Sequence, residues 1–388
     1  MDGQTGPRRL WAGEWTRGPV AFMVAGFVAA LIVPRLGPVV TPDLVLGGLL
    51  PGLVFEAAYR LRWEDLRLSS GAIAFLAIPG VLISGAIIAV VLAAATGLRL
   101  ELAVVAGMMV SATDPAAVVA TFTRLRAPRR LVAIVDAESL LNDGTALVAF
   151  MVAVAVVTRG VGLAEAATLF VVTIAGSSIV GALIGLAAAV SIARVGGPVA
   201  VAISLVAAYG GYAVAAALGL SGVLASVLAG VVLGSYGRRI GLGERTERTL
   251  DAAWEPLTAG LTALIFFAVG LAIAWSDLAS ALGPIGWGVL GALLGRGFIV
   301  YGLIGGALVA LRGRRMAPNV PDRWLHLIFW AGLRGAVATA AALSLPFDFP
   351  ERDLLQRITF GVVVVTLLVQ GSTAGWLVRR AALERLGD

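Results

Sequence analysis

Apolar runs of about 20 residues, the length that crosses a bilayer core, recur along the whole chain between Arg-rich or Gly/Pro-rich breaks. The pattern predicts about twelve helical spans at that length, near residues 19–34, 43–59, 71–95, 101–121, 131–157, 163–193, 198–217, 220–236, 252–274, 285–311, 323–345 and 355–378. No polar stretch between them is long enough for a soluble domain. The expected fold class is an all-α polytopic membrane protein whose spans form two inverted repeats of six, as in many secondary transporters. Residues 1–18 are expected to be a retained cytoplasmic N-terminal tail, because no small-residue cleavage site follows the first apolar run. Residues 19–378 form a single transmembrane domain, and 379–388 a short cytoplasmic tail.

Corresponding spans of the two halves carry helix-weakening patterns. The fourth holds "SATDPAAVV", with Pro115 mid-run, and the eleventh holds "WAGLRGAVATA", with Gly332 and Gly335 beside Arg334. Broken helices at matching places in two repeats mark the site in transporters of this architecture.

Composition sharpens the membrane reading. Of 388 residues 59% are hydrophobic and only 13% charged, against about 25% charged in soluble domains. The net charge of +6 is a topology signal, since no Arg cluster interleaves with stacking aromatics as a nucleic-acid binder requires. All 29 basic residues are arginine. With the N-terminus inside, 22 of them fall in cytoplasmic segments, five in outside segments and two, Arg296 and Arg334, mid-helix. This bias places both termini in the cytoplasm with an even number of spans. There is no cysteine and one histidine, His326, so disulfides, thiolate metal sites and His-based zinc sites are ruled out, and no cofactor is expected. His326, at the start of the eleventh span, is read as an interfacial residue rather than a pH sensor.

The chemistry lies in the charges that remain inside the spans: Glu56, Asp114, Glu138, Asp143, Arg296 and Arg334, with Asp136 nearer the cytoplasmic end. Each costs about 2.5–3.5 kcal/mol at bilayer depth on insertion scales, so such residues are functional candidates. Two arginines cannot neutralise four or five acids. At least two carboxylates must therefore be protonated or hold a bound cation, so that proton and cation compete. At about 100° per residue, Asp143 and Ser139 share a stripe. Glu138 points about 140° away from Asp143 on the same wheel, and Asn142 lies near Glu138. Glu138 is the expected structural partner of an arginine and Asp143 the expected ion ligand. Freed carbonyls at Thr113–Asp114, with hydroxyls and carboxylates, suit a hard cation. Asp114 also reads as a cap for broken-helix ends. Asp136 has no assigned role.

"SATDPAAVVA" and "ESLLNDGTALV", on consecutive spans, resemble the paired motifs of the bacterial and archaeal sodium/proton antiporters, the branch that includes the animal sodium/proton exchangers. "LLPGLVFEAA", "SGVLASVLAGVVLG", "FFAVGL", "GLRGAVATAAALSLP" and "TFGVVVVTLLVQG" extend the likeness along most of the chain. The resemblance implies a homodimer in the bacterial inner membrane exchanging Na⁺ (or Li⁺) for H⁺, electroneutrally and by alternating access. Asp143 would bind ion or proton, with Ser139, the Thr113 backbone and Glu56 as further Na⁺ ligands. Asn142 would contact Asp114, Glu138 would pair with Arg296, and Arg334 would stabilise the crossing of the broken helices. The moving core would be about 71–157 and 285–378, against interface helices about 19–59 and 163–274. Relatives usually carry one more helix before the span at 19–34, a departure that bears on the dimer surface; no regulatory soluble domain is expected after Arg385. An intramembrane aspartyl protease using Asp114 and Asp143 and a cation channel are the competing readings. Against the protease, Asn142 and the arginine pairing would have no role.

Overall fold

A computed structural model describes residues 18–33, 39–61, 71, 73, 75–114, 118–119, 122, 127–240, 242–273, 275–306 and 324–383. The N-terminal tail, Pro115 with most of the second half of the fourth predicted span, residues 307–311 and the last five residues lie outside the described residues.

Each of the twelve predicted spans overlaps helix among the described residues. In chain order they are α1 (Gly18–Ile32) and α2 (a π-helical turn Leu44–Leu49 continuing as Leu50–Arg60). Next come α3 (π-helical Leu76–Gly80, then Val81–Thr96), α4 (Leu100–Ser111), α5 (Arg129–Arg159), α6 (Leu163–Val195) and α7 (Gly197–Ala217). The second half holds α8 (Gly222–Val232, π-helical Leu233–Gly237), α9 (Glu244–Ala272) and α10 (Leu282–Gly297, π-helical Phe298–Gly305). It ends with α11 (Trp324–Trp330), α12 (Ala336–Leu343) and α13 (Arg352–Thr366, π-helical Leu367–Gly371, then Ser372–Leu383). Eight of these helices are long and apolar enough to cross a membrane, which makes the chain a multi-pass membrane protein. Local chemistry sets several boundaries. Pro79, which lacks an N–H, sits in the π-turn of α3. Gly97 and Gly160, at φ +71° and +67°, take the left-handed caps that end α3 and α5.

The helices pack in two groups of neighbours. One joins α1 to α9 and sets α8 between α2, α6 and α7. The other sets α3 between α4 and α10, α10 on α13, and α4 on α5. The groups meet along α5, which touches α2, α6 and α8 as well as α3 and α4. Lipid tails are as apolar as side chains, so helices associate where small residues let backbones approach. Gly181 and Gly185 of α6 lie against the backbone of Ala225 and Ala229 of α8. Gly230 and Gly234, on the continuation of α8, lie against the backbone of Phe55 and Tyr59 in α2.

The fourth and eleventh spans are interrupted. Helix α4 stops at Ser111 and the chain runs on as non-helical Ala112–Asp114. Helix α11 stops at Trp330 and α12 starts only at Ala336. The two interruptions cross: the backbone N–H of Asp114 donates to the carbonyl of Leu333 at 2.8 Å.

Candidate functional site

Each crossing segment supplies the charge that the other's broken helix needs. A helix C-terminus leaves carbonyls unpaired and carries partial negative charge. The Arg334 guanidinium, 1% exposed, donates to the carbonyls of Ser111 and Ala112 at 3.4 and 3.3 Å, at the end of α4. Its own backbone N–H is held by Thr366 Oγ1 at 3.1 Å. In return the Asp114 carboxyl packs on Gly335, the N-cap of α12, so closely that a Cβ there would overlap it. A carboxylate at a helix N-terminus is favourably placed.

Helix α5 presents two chemically different faces to this crossing. On one face Glu138 and Asn142, each 1% exposed, are fully engaged. Glu138 accepts two parallel bonds from Arg296, at 2.8 and 2.9 Å, the bidentate geometry that gives a carboxylate–arginine pair its strength. Arg296 also donates to the Ile328 carbonyl at 2.9 Å. Asn142 Nδ2 donates to Glu138 at 2.8 Å and to Thr113 Oγ1 at 2.5 Å, and its Oδ1 accepts from the Thr113 backbone N–H at 3.4 Å. These bonds run to Thr113, the neighbour of the Asp114 that the resemblance gives as the partner of Asn142. Three contacts to one amide and its neighbours hold the broken segment against α5.

The other face of α5 opens on a cavity of about 460 Å³ lined by Asp136, Ser139 and Asp143, with Asp114 from the crossing. Ser139, 2% exposed, lies 3.2 Å from Thr113 Oγ1, so that hydroxyl links the two faces. The facing wall is α2 and α9, which contribute Glu56, Arg60, Glu255, Thr258 and Thr262 among apolar residues. Glu56 is salt-bridged to Arg60 one turn on, a residue half exposed at the end of α2. Arg60 and the exposed Glu255 stand near the Arg-rich ends of α2 and α9, so the cavity opens toward that face. Asp136, unassigned from the sequence, is one of its wall residues. Glu255, Thr258 and Thr262 were missed. The signal was available: at about 100° per residue they fall within about 60° of one another, a polar stripe on the otherwise apolar part of α9 beyond Asp251. His326 lies apart from the cavity lining, its Nδ1 2.9 Å from the Tyr301 hydroxyl.

The model of the sodium/hydrogen exchanger family, transmembrane part, matches residues 17–380. The chain belongs to the sodium/hydrogen exchanger family. Among curated members it is 35% identical over 356 residues to the low-affinity Na⁺/H⁺ antiporter NhaS1 of Synechocystis, covering 90% of this chain and 66% of that one. To the Na⁺/H⁺ antiporter NhaP of Pseudomonas aeruginosa it is 34% identical over 352 residues, covering 87% and 81%. The exchanger fold is matched by the sodium proton antiporter MjNhaP1 of Methanocaldococcus jannaschii, with TM-scores of 0.65 and 0.71 in two structures. Sequence identity there is 19% and 20%, over 95% of this chain and 98% and 91% of the other. The chain therefore spans about two thirds of the Synechocystis exchanger's length and nearly the whole of MjNhaP1.

Proposed function

We propose that the chain is a secondary transporter, not an enzyme, that exchanges Na⁺ or Li⁺ for H⁺ across the bacterial inner membrane, one for one. One observation carries this reading. The acids of α5 divide into one that is paired and others that face an open cavity: Glu138 is held by Arg296, while Asp143, Ser139 and Asp136 line the cavity. A carboxylate with no fixed arginine in a membrane must hold a proton or a cation, and Asp143 is placed to alternate between them. The Na⁺ would be held by Asp143, Ser139 and Thr113, oxygen donors suited to a hard ion. Glu56, bridged to Arg60, adds negative potential from the facing wall. Glu138–Arg296 and Arg334 act as scaffold.

Alternating access would move the group containing α3–α5 and α10–α13 against the group containing α1, α2 and α6–α9. With both termini cytoplasmic, the cavity would face inward. Antiporter relatives and the family's likeness along residues 17–380 support the exchange reading; the group containing α1, α2 and α6–α9 would pair two copies in a homodimer. In everted vesicles loaded with a pH-sensitive dye, the wild-type chain should dequench on adding Na⁺ or Li⁺. Asp143→Asn should abolish this while the protein still inserts and purifies. Normal exchange by Asp143→Asn would overturn the proposal.

A further inference from the structure

The cation pathway has two walls, and α9 is the part of its lining that has been given no ligand so far. A hard cation that sheds water must find oxygen atoms in its place, and an ion crossing to Asp143 passes between α5 and the stripe on α9. The oxygens of that facing wall are not equally available. The Glu56 carboxylate is bridged to Arg60. The Thr258 hydroxyl donates to the Trp254 carbonyl at 2.8 Å, one turn back on its own helix, which fixes its orientation while its lone pairs stay open. Thr145, Thr158, Thr339 and Thr359 engage the carbonyl four residues back in the same way. Thr262 departs from this habit. Among the described residues its hydroxyl makes no hydrogen bond, and it lines the cavity that holds Asp143 and Ser139.

We infer that Thr262 is a selectivity-determining residue of the transport cycle: its hydroxyl is a neutral oxygen, free to reorient, that the α9 wall offers to a partly dehydrated monovalent cation on its way to and from Asp143. This rests on the exchange reading above. The proposal has a specific consequence. A hydroxyl does not titrate in the working pH range, so Thr262 contributes to cation affinity without taking part in proton coupling. Losing it should weaken cation binding by the same factor at every pH. It should also change the ranking among Li⁺, Na⁺ and K⁺, because the three ions differ in how much water they surrender.

The test uses the full chain reconstituted in proteoliposomes, with half-saturation measured for each of the three cations between pH 6.5 and 8.5. Thr262→Val keeps the shape and removes the oxygen; Thr262→Ser keeps the oxygen. The expected result for Thr262→Val is a rise of roughly three- to tenfold in Na⁺ half-saturation, the size of one lost polar contact. That rise should exceed any fall in maximal rate, come with an altered cation ranking, and leave the pH slope as in wild type; Thr262→Ser should restore wild-type values. Should the valine protein fold poorly, Thr262→Ser and Thr262→Ala carry the same comparison. Half-saturation and ranking unchanged in the variants that lack the oxygen overturn the inference, as does an equal loss in Thr262→Ser. The Asp143→Asn protein is assayed alongside: if it exchanges normally, the exchange reading fails, whereas a silent Thr262→Val beside an inactive Asp143→Asn rejects Thr262 alone.

Discussion

Among the described residues Arg296 has a single carboxylate against it, and both of its terminal nitrogens are engaged with Glu138. Glu138→Ala would leave a guanidinium that is 6% exposed with no counter-charge, and breaking a buried pair from one side costs about 3–5 kcal/mol. The expected outcome is a sharp fall in folded yield and melting temperature in detergent. Combining it with Arg296→Met removes the stranded charge, so the double variant should be more stable than Glu138→Ala alone, a sign that only a direct pair produces. A double variant no better than the single would separate the two residues energetically. The direction of Glu138 was legible in the sequence, because 100° per residue turns it away from Asp143. The bonds of Asn142 were not, because which atom of a broken segment reaches α5 depends on where Ala112–Asp114 leave the helix. Glu255 and Thr262 were passed over for another reason. A charge at a helix end and threonines in an apolar run are ordinary in membrane proteins, and their meaning appears only when α5 is set opposite.

At the scale of elements, helix positions were readable because the bilayer imposes a length and forbids unpaired backbone, and all twelve predicted runs overlap helix among the described residues. The interruption at Gly332–Gly335 was readable from its glycines, and its crossing with Thr113–Asp114 only from the paired placement of both. Which helices touch was not readable, since any apolar face suits lipid as well as protein. The information lies in small residues at four-residue spacing, and it becomes specific only in pairs. Gly230 illustrates this: a Cβ there would overlap the Phe55 carbonyl, backbone that cannot swing aside. Gly230→Val should therefore force α8 from α2 and destabilise the protein by about 1–3 kcal/mol or more, the usual cost of overpacking. Gly286→Ala, where a Cβ meets nothing within 4 Å, should melt within a degree or two of wild type. A thermal-shift comparison of the two decides it; equal melting temperatures would mean that α8 and α2 are not held at backbone contact.

At the scale of the molecule, exchange requires that cation and proton exclude one another at one place, and this fixes how affinity must depend on pH. If one proton leaves for each cation that binds, apparent half-saturation is multiplied by one plus the ratio of proton concentration to the site's acid constant. Below the pH at which the site deprotonates, half-saturation then rises by roughly tenfold for each unit of falling pH, by proton linkage. If two protons leave, the limit is about a hundredfold. The cavity gives both outcomes a physical basis, because Asp143 shares it with Asp114 and Asp136. Asp114, however, is packed against Gly335 at the N-terminus of α12, and Asp136 lies about two turns before Asp143 on α5. The one-for-one reading assigns the exchanged proton to Asp143, so the expected limiting slope of log half-saturation against pH is about minus one. Asp136→Asn should keep that slope, and Asp114→Asn should weaken the crossing of the broken helices before it alters the slope. A slope near minus two in the wild-type protein, reduced to minus one by Asp136→Asn, would assign the second proton to Asp136 and make the exchange electrogenic.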